Sequence, residues 1–204
     1  MIECFDPIKT DSSEDLFAGE FIYRFSVPVV IQVLSDVPQA QEAQNIDFSN
    51  RILLEVLNTS ASPLSNNKDM DTETLQFLTT LSAKLDLLLR WTGQLITDKL
   101  SLPSPIDLDI NAHGIKLHVA NDAEKLTLTR FNLINIYLSG YYPEPLRLYA
   151  RLINTQSHSD GVVYDLKIEH CSEETQDALE KYIFKVHRQH ISSLKKQSQS
   201  GETV

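Results

Sequence analysis

The chain has 204 residues, 42% of them hydrophobic and 23% charged, which is the composition of a folded globular chain long enough to bury a core and not of a disordered one. Its 18 Lys+Arg stand against 28 Asp+Glu, a net charge of -10, so its field repels polyanions. A broad nucleic-acid surface is set aside on that ground, and an anionic ligand would need a local cluster of arginines. Two cysteines, Cys4 and Cys171, exclude a disulfide framework and, alone, a Cys-rich zinc site.

The first residues, MIECFDPIKTDSSEDLF, show no basic stretch leading into an apolar one, so no signal peptide is read. No apolar run approaches the roughly 20 residues that span a bilayer. The expectation is a cytoplasmic protein with no membrane span. Residues 1–20 are polar, and Glu3, Asp6, Asp11, Glu14, Asp15 and Glu20 read as a solvated acidic segment. Residues 21–35 (FIYRFSVPVVIQVLS) are β-branched and aromatic, predicting extended structure interrupted at Pro28, which cannot donate to a ladder. Over 46–58 the period changes. Phe48, Ile52 and Val56, with Leu53 and Leu57, recur at helical spacing behind Asp47 as N-cap. The stretch SASPLSNNKDMD then reads as a polar linker.

Residues 72–100 carry the strongest period. Asp71 is placed to cap a helix, and Glu73 sits in its first turn, where the helix dipole favours negative charge. Leu78, Leu81, Leu85, Leu88 and Leu95 fall at alternating three- and four-residue steps, broken only by Thr92. This is an a/d seam of nearly three heptads. Phe77, Leu87, Leu89, Trp91 and Ile96 widen the apolar surface beyond a two-stranded seam, which favours four chains over two. A core helix of a monomer is the plainer alternative, since a short seam also fits ordinary helix packing.

From residue 104 the pattern becomes strands: PIDLDI, GIKLHVA, EKLTLTRFNLINIYL, PLRLYARLINTQ and GVVYDLKIEH. Alternation is clearest in Ile115, Leu117, Val119 and in Leu146, Leu148, Ala150, Leu152. Five or six short strands punctuated by Gly114, Gly140 and Gly161 predict a small barrel or curved sheet. A closing helix is expected from Ser172, an N-cap residue type, to about Leu194, with Leu179, Ile183, Val186 and Ile191 on its apolar face. The organisation expected is an N-terminal strand and helix region with linker (1–70), an oligomerisation helix (71–100), the barrel with its helix (101–195) and a loose tail (196–204).

Strands closed by a helix, with DINAHG between the first two, resemble the PilZ domain family over roughly residues 101–195. The pieces that carry the likeness are Asp109-Ile110-Asn111-Ala112-His113-Gly114 followed by IKL, the strand PLRLYARL, and EETQDALEKYIFKVHRQHI. The resemblance implies an α+β fold, a small antiparallel β-barrel with a C-terminal helix, and cyclic di-GMP as a possible ligand. The family's D/N-x-S-x-x-G motif is matched at Asp109 and Gly114, with Asn111 at the serine position. Asp109 can accept from a guanine edge, Asn111 can donate and accept, and Gly114 permits close approach.

The family's second motif, R-x-x-x-R, is expected just before the barrel, where its guanidiniums hold phosphates and guanine. No arginine lies between Trp91 and Asp109, and Arg90 is single and inside the leucine helix. Arg147 and Arg151 match the spacing literally but follow the first motif. They read as the solvated face of a strand and would need a different pose to act as a clamp. The segment LSAKLDLLLRWTGQLI is similar to the heptad helix of atypical members that lack the clamp and assemble as tetramers.

Catalytic signatures are missing: there is no G-x-S-x-G, P-loop or H-E-x-x-H. His187 and His190, three apart, read as surface residues before metal ligands. His113 is a loop residue with no base partner that the sequence can place. Cys171, before a helix N-terminus, reads as an inert thiol. No cofactor and no metal are expected. The favoured expectation is a non-enzymatic signalling adaptor, linked by the resemblance to bacterial motility, type IV pili, biofilm or virulence. It would self-assemble through residues 72–100, with cyclic di-GMP binding lost or weak. The alternative is a cyclic di-GMP receptor using Asp109, Asn111 and Gly114 with a rearranged clamp.

Overall fold

A computed structural model describes residues 16–17, 22–59, 71–97, 102–120, 126–139 and 142–200. The chain runs β1 (Tyr23–Val27), β2 (Val29–Leu34), α1 (Ala40–Thr59), α2 (Thr72–Thr97), β3 (Ile106–Ile110), β4 (Gly114–Ala120), β5 (Phe131–Ile136), β6 (Leu146–Ser157), β7 (Gly161–Glu169) and α3 (Glu173–Ser200). All seven strands form one antiparallel sheet in the order β1-β3-β4-β7-β6-β5-β2.

The two edges of that sheet are β1 and β2, which are joined by Pro28 alone. A strand broken at a residue with no N–H pairs with β3 on one side of the break and with β5 on the other. The Pro28 carbonyl still accepts from the Tyr137 N–H at 3.1 Å. The sheet therefore curls into a half-barrel. The α+β fold matches the expectation, and the barrel segment supplies the five expected strands β3–β7. The run at 21–35, which sequence grouped with residues 1–70, supplies the other two strands of the same sheet. Sequence reads strand character locally, whereas the pairing partners lie more than 75 residues away.

Alternation sets the core. Leu108, Ile110, Ile115, Leu117, Leu146 and Leu166 are fully buried on the concave side. Helix α3 covers them with Leu179, Tyr182 and Ile183, and α1 with Leu53, Leu54 and Leu57. Burial of this apolar surface is the main favourable term in folding. Among the described residues of the expected strand at 124–138, ladder pairing is confined to Phe131–Ile136. Before it, Thr129 N–H donates to Asn132 Oδ1 (3.0 Å) and Asn132 Nδ2 returns to the Thr129 carbonyl (2.7 Å), a side-chain turn that ends the ladder.

Helix α1 begins at Ala40, well before the expected cap at Asp47. Residues 40–44 are good helix formers with almost no apolar period, so periodicity misses them. Asp47 instead accepts from Ser172 N–H through Oδ1 (3.0 Å), and its carbonyl from Thr175 Oγ1 (3.4 Å), tying α1 to the start of α3. Buried Asn50 donates to the Arg147 carbonyl (2.6 Å) and accepts from the Arg147 N–H (2.9 Å), seating α1 on β6. At the other end of α1, Lys185 Nζ donates to the Leu57 and Asn58 carbonyls (2.6 and 2.8 Å), closing orphan groups of the helix C-terminus.

Helix α3 starts as expected: Ser172 Oγ accepts from Thr175 N–H at 3.3 Å. It runs through Ser200, so it continues into the segment expected as a tail; residues 201–204 lie outside the described residues, as do almost all of 1–20. Helix α2 is capped by Asp71, whose Oδ1 accepts from Thr74 N–H (2.7 Å) and whose Oδ2 accepts from Thr74 Oγ1 (2.8 Å). Among the described residues no strand or helix packs extensively against α2. No helix of the described residues is long and apolar enough to cross a membrane.

Candidate ligand turn

The β3–β4 hairpin carries the motif residues. Asp109 stands on the convex face of β3, opposite Lys116 of β4 and Arg24 of β1. Arg24 grips it bidentately, Nε to Oδ1 at 2.7 Å and Nη2 to Oδ2 at 2.9 Å. His118 lies two residues beyond Lys116 and places Nε2 2.8 Å from the same Oδ2. A carboxylate has no proton to give, so Nε2 carries the hydrogen and donates. The 3.3 Å approach of Arg24 Nη2 to that nitrogen is then a contact between two donors. Burial pushes the Asp109 carboxyl up, but the hydrogen bonds from Arg24 and His118 outweigh it and hold the group below the usual carboxylate range. The Arg24 side chain stays 60% exposed while held, so an oriented guanidinium faces solvent.

Asn111 is almost fully buried, and its side chain is spent within the chain. Its Oδ1 accepts from the N–H groups of His113 (2.9 Å) and Gly114 (2.6 Å), and its Nδ2 donates to the Leu16 carbonyl (2.8 Å). It builds the turn. Gly114 is needed for space: a Cβ there would lie 3.2 Å from both the Leu166 carbonyl and Phe17 Cζ.

Arg147 and Arg151 stand on β6, separated from β3 by β4 and β7, and the fold does not bring them to Asp109. They share the face opposite Leu146 and Leu148, as alternation requires. Arg147 pairs with Glu144, and Arg151 Nε donates to Glu169 Oε1 at 2.5 Å. The residues that do meet Asp109, Arg24 and His118, escaped the sequence reading. Their signal was a lone charge in an apolar run (Tyr23-Arg24-Phe25) and a polar position of β4; only the β1–β3–β4 register gives either a partner.

A shallow groove of about 390 Å³ opens beside the cluster, lined by Asp107, His118, His158 and Asp160 among others. Its two carboxylates make it a poor seat for a phosphate. Elsewhere, Tyr23 Oη meets His190 Nδ1 at 2.9 Å and its ring meets His187 edge-on, so both histidines dock α3 on β1. Among the described residues no group of three or more metal-ligating side chains is present. Burial pushes the Cys171 thiol up to about 12, which keeps it protonated despite its place before α3.

The seam leucines all lie on α2. Leu78 is half-buried, whereas Leu81, Leu85, Leu88 and Leu95 are exposed, as are Phe77 and Trp91.

No curated protein matches the chain. Among solved structures, it is similar to a pathogenic protein from Xanthomonas campestris, described as a tetrameric PilZ domain self-assembled via an unusual helical bundle. That similarity has a TM-score of 0.66 at 22% identity and covers 87% of this chain and 94% of that one. A lesser similarity is to the Bacillus subtilis inhibitor of motility, with a TM-score of 0.32 at 18% identity over 43% of this chain and 41% of that one. The family described as "atypical PilZ domain, cyclic di-GMP receptor" matches residues 51–196, from within α1 through α2, strands β3–β7 and most of α3, and the chain belongs to that family.

Proposed function

We propose that this protein is a non-enzymatic, cytoplasmic PilZ adaptor in a bacterial cyclic di-GMP-linked pathway such as motility, pilus, biofilm or virulence control. It assembles through α2 as a tetramer, acts through protein partners and holds cyclic di-GMP weakly or not at all. The observation that carries this reading is α2 itself. A capped helix of 26 residues presents Leu81, Leu85, Leu88, Trp91 and Leu95 to solvent, where their burial against other helices is strongly favourable. The a/d seam together with flanking Phe77, Leu89 and Trp91 fits a bundle of four better than a pair. Weak ligand binding follows from a motif whose donors and acceptors are already engaged, and from the net charge of -10.

A second reading is a receptor with a rearranged clamp. Arg24, oriented by Asp109 and largely exposed, favours it, because a held guanidinium can meet a phosphate or stack on a guanine. In that reading Arg24 joins Asp109, Asn111 and Gly114, and Arg147 and Arg151 would contribute only from a neighbouring chain.

Sedimentation velocity of the purified protein and of Leu85→Asp/Leu88→Asp tests the assembly, and calorimetric titration with cyclic di-GMP separates the two readings. A multimer that the double substitution reduces to monomer, with no heat of binding, supports the adaptor. A wild-type monomer removes it. Saturable binding lost in Arg24→Met and Asp109→Ala selects the receptor.

A further inference from the structure

The side of Gly114 that lacks a Cβ is filled by the chain's own Leu16 and Phe17. A Cβ on Gly114 would stand 3.2 Å from Phe17 Cζ and 3.4 Å from Leu16 Cβ. The same two residues hold the turn at two more points. Asn111 Nδ2 donates to the Leu16 carbonyl at 2.8 Å, and Lys116 Nζ stands 4.6 Å over the Phe17 ring. Residues 111, 114 and 116 thus each contact one dipeptide nearly 100 residues upstream. A glycine and an amide in a hairpin are the groups through which a ligand would reach this turn, and Leu16–Phe17 has both.

We propose that Leu16–Phe17 is an intramolecular lid on the ligand turn, so that the dipeptide and cyclic di-GMP compete for one surface. The inference rests on the reading of Asp109–Gly114 as the ligand segment. In the closed state Asn111 and Gly114 serve the fold. When the dipeptide leaves, the Asn111 amide, the bare Gly114 backbone and the Lys116 ammonium face the ligand together, beside Arg24. The affinity observed for cyclic di-GMP is then its intrinsic affinity reduced by the fraction of molecules that are open.

The test is calorimetric titration of the 204-residue chain and of its Leu16→Ser/Phe17→Ser variant with cyclic di-GMP at one salt concentration, after circular dichroism has shown that both are folded. The double variant is expected to bind about tenfold tighter or more, as it would for a lid closed in nine molecules of ten. Phe17→Ala, which removes the ring and leaves the Leu16 side chain in place, shifts affinity the same way by a smaller factor and decides the matter should the double variant fail to fold. Weaker binding by the variants would make Leu16–Phe17 part of the ligand seat and overturn the lid. Equal affinities overturn the lid alone, and the adaptor falls with it only where that shared affinity is tight. No heat from wild type or variants overturns the lid alone and leaves the adaptor standing.

Discussion

Strand β4 and helix α2 both follow a clear apolar period, and they finish in opposite surroundings. Ile115 and Leu117 have no exposed surface, whereas Leu85, Leu88 and Leu95 are 51–65% exposed. A period states which side chains share a face. It does not state what covers the face. The β4 face is closed by the curl of the sheet and by α3. The α2 face has no cover among the described residues, and a helix that is apolar over several stripes is stable in water when another helix supplies one.

Three variants can break this comparison. Leu85→Asp/Leu88→Asp has the largest expected consequence: it reduces the multimer to monomer by sedimentation, because charges in a closed seam are costly, yet leaves the urea midpoint of the sheet unchanged. If that midpoint collapses instead, α2 belongs to the same core as β4. Leu117→Ala does the reverse, lowering stability by about 2–5 kcal/mol in urea unfolding with assembly intact. Gly161→Ala follows, since its Cβ would lie 2.2 Å from the Val119 carbonyl; β4 and β7 must separate, at roughly 1–3 kcal/mol.

Two smaller effects sharpen it. Arg24→Met removes the bidentate partner of Asp109 and is expected to cost about 1 kcal/mol near neutral pH, discounted because Arg24 is mostly exposed. The Asp109 carboxyl is held below its unfolded value of about 3.9. Its contribution is therefore complete above that value and disappears as pH falls through the folded pKa. The difference between wild type and Arg24→Met in urea should shrink to nothing in strong acid; a gap that persists there would assign the loss to packing. Asp71→Ala, the smallest, frays the first turn of α2 and shows as a slight loss of helical ellipticity, with the sheet's unfolding unmoved.

Much of the candidate site was legible and its wiring was not. The hairpin follows from alternation and turn residues, whereas Asp109, Asn111 and Gly114 were singled out by the resemblance to the PilZ motif. That Asn111 would be consumed by the turn was half legible, since asparagine commonly bonds its own backbone two or three residues on. The bond to Leu16 was not, because it joins segments 95 residues apart. Arg147 and Arg151 had the right spacing along the chain but stand three strands away from Asp109, whereas Arg24 has no motif around it and is its direct neighbour.

Sequence alone determined the element types of β3–β7, α2 and α3, the caps at Asp71 and Ser172, and the inward and outward faces of the strands. Each depends on interactions within a few residues, where period and side-chain chemistry act directly. Tertiary structure decided that the run at 21–35 closes the sheet as both its edges, and that Asp47 ties two helices together. It also put Arg24 on Asp109 and Leu16–Phe17 on the β3–β4 turn. Those outcomes rest on register between segments distant in the chain, where the energy of a contact is set by what the whole sheet brings alongside it.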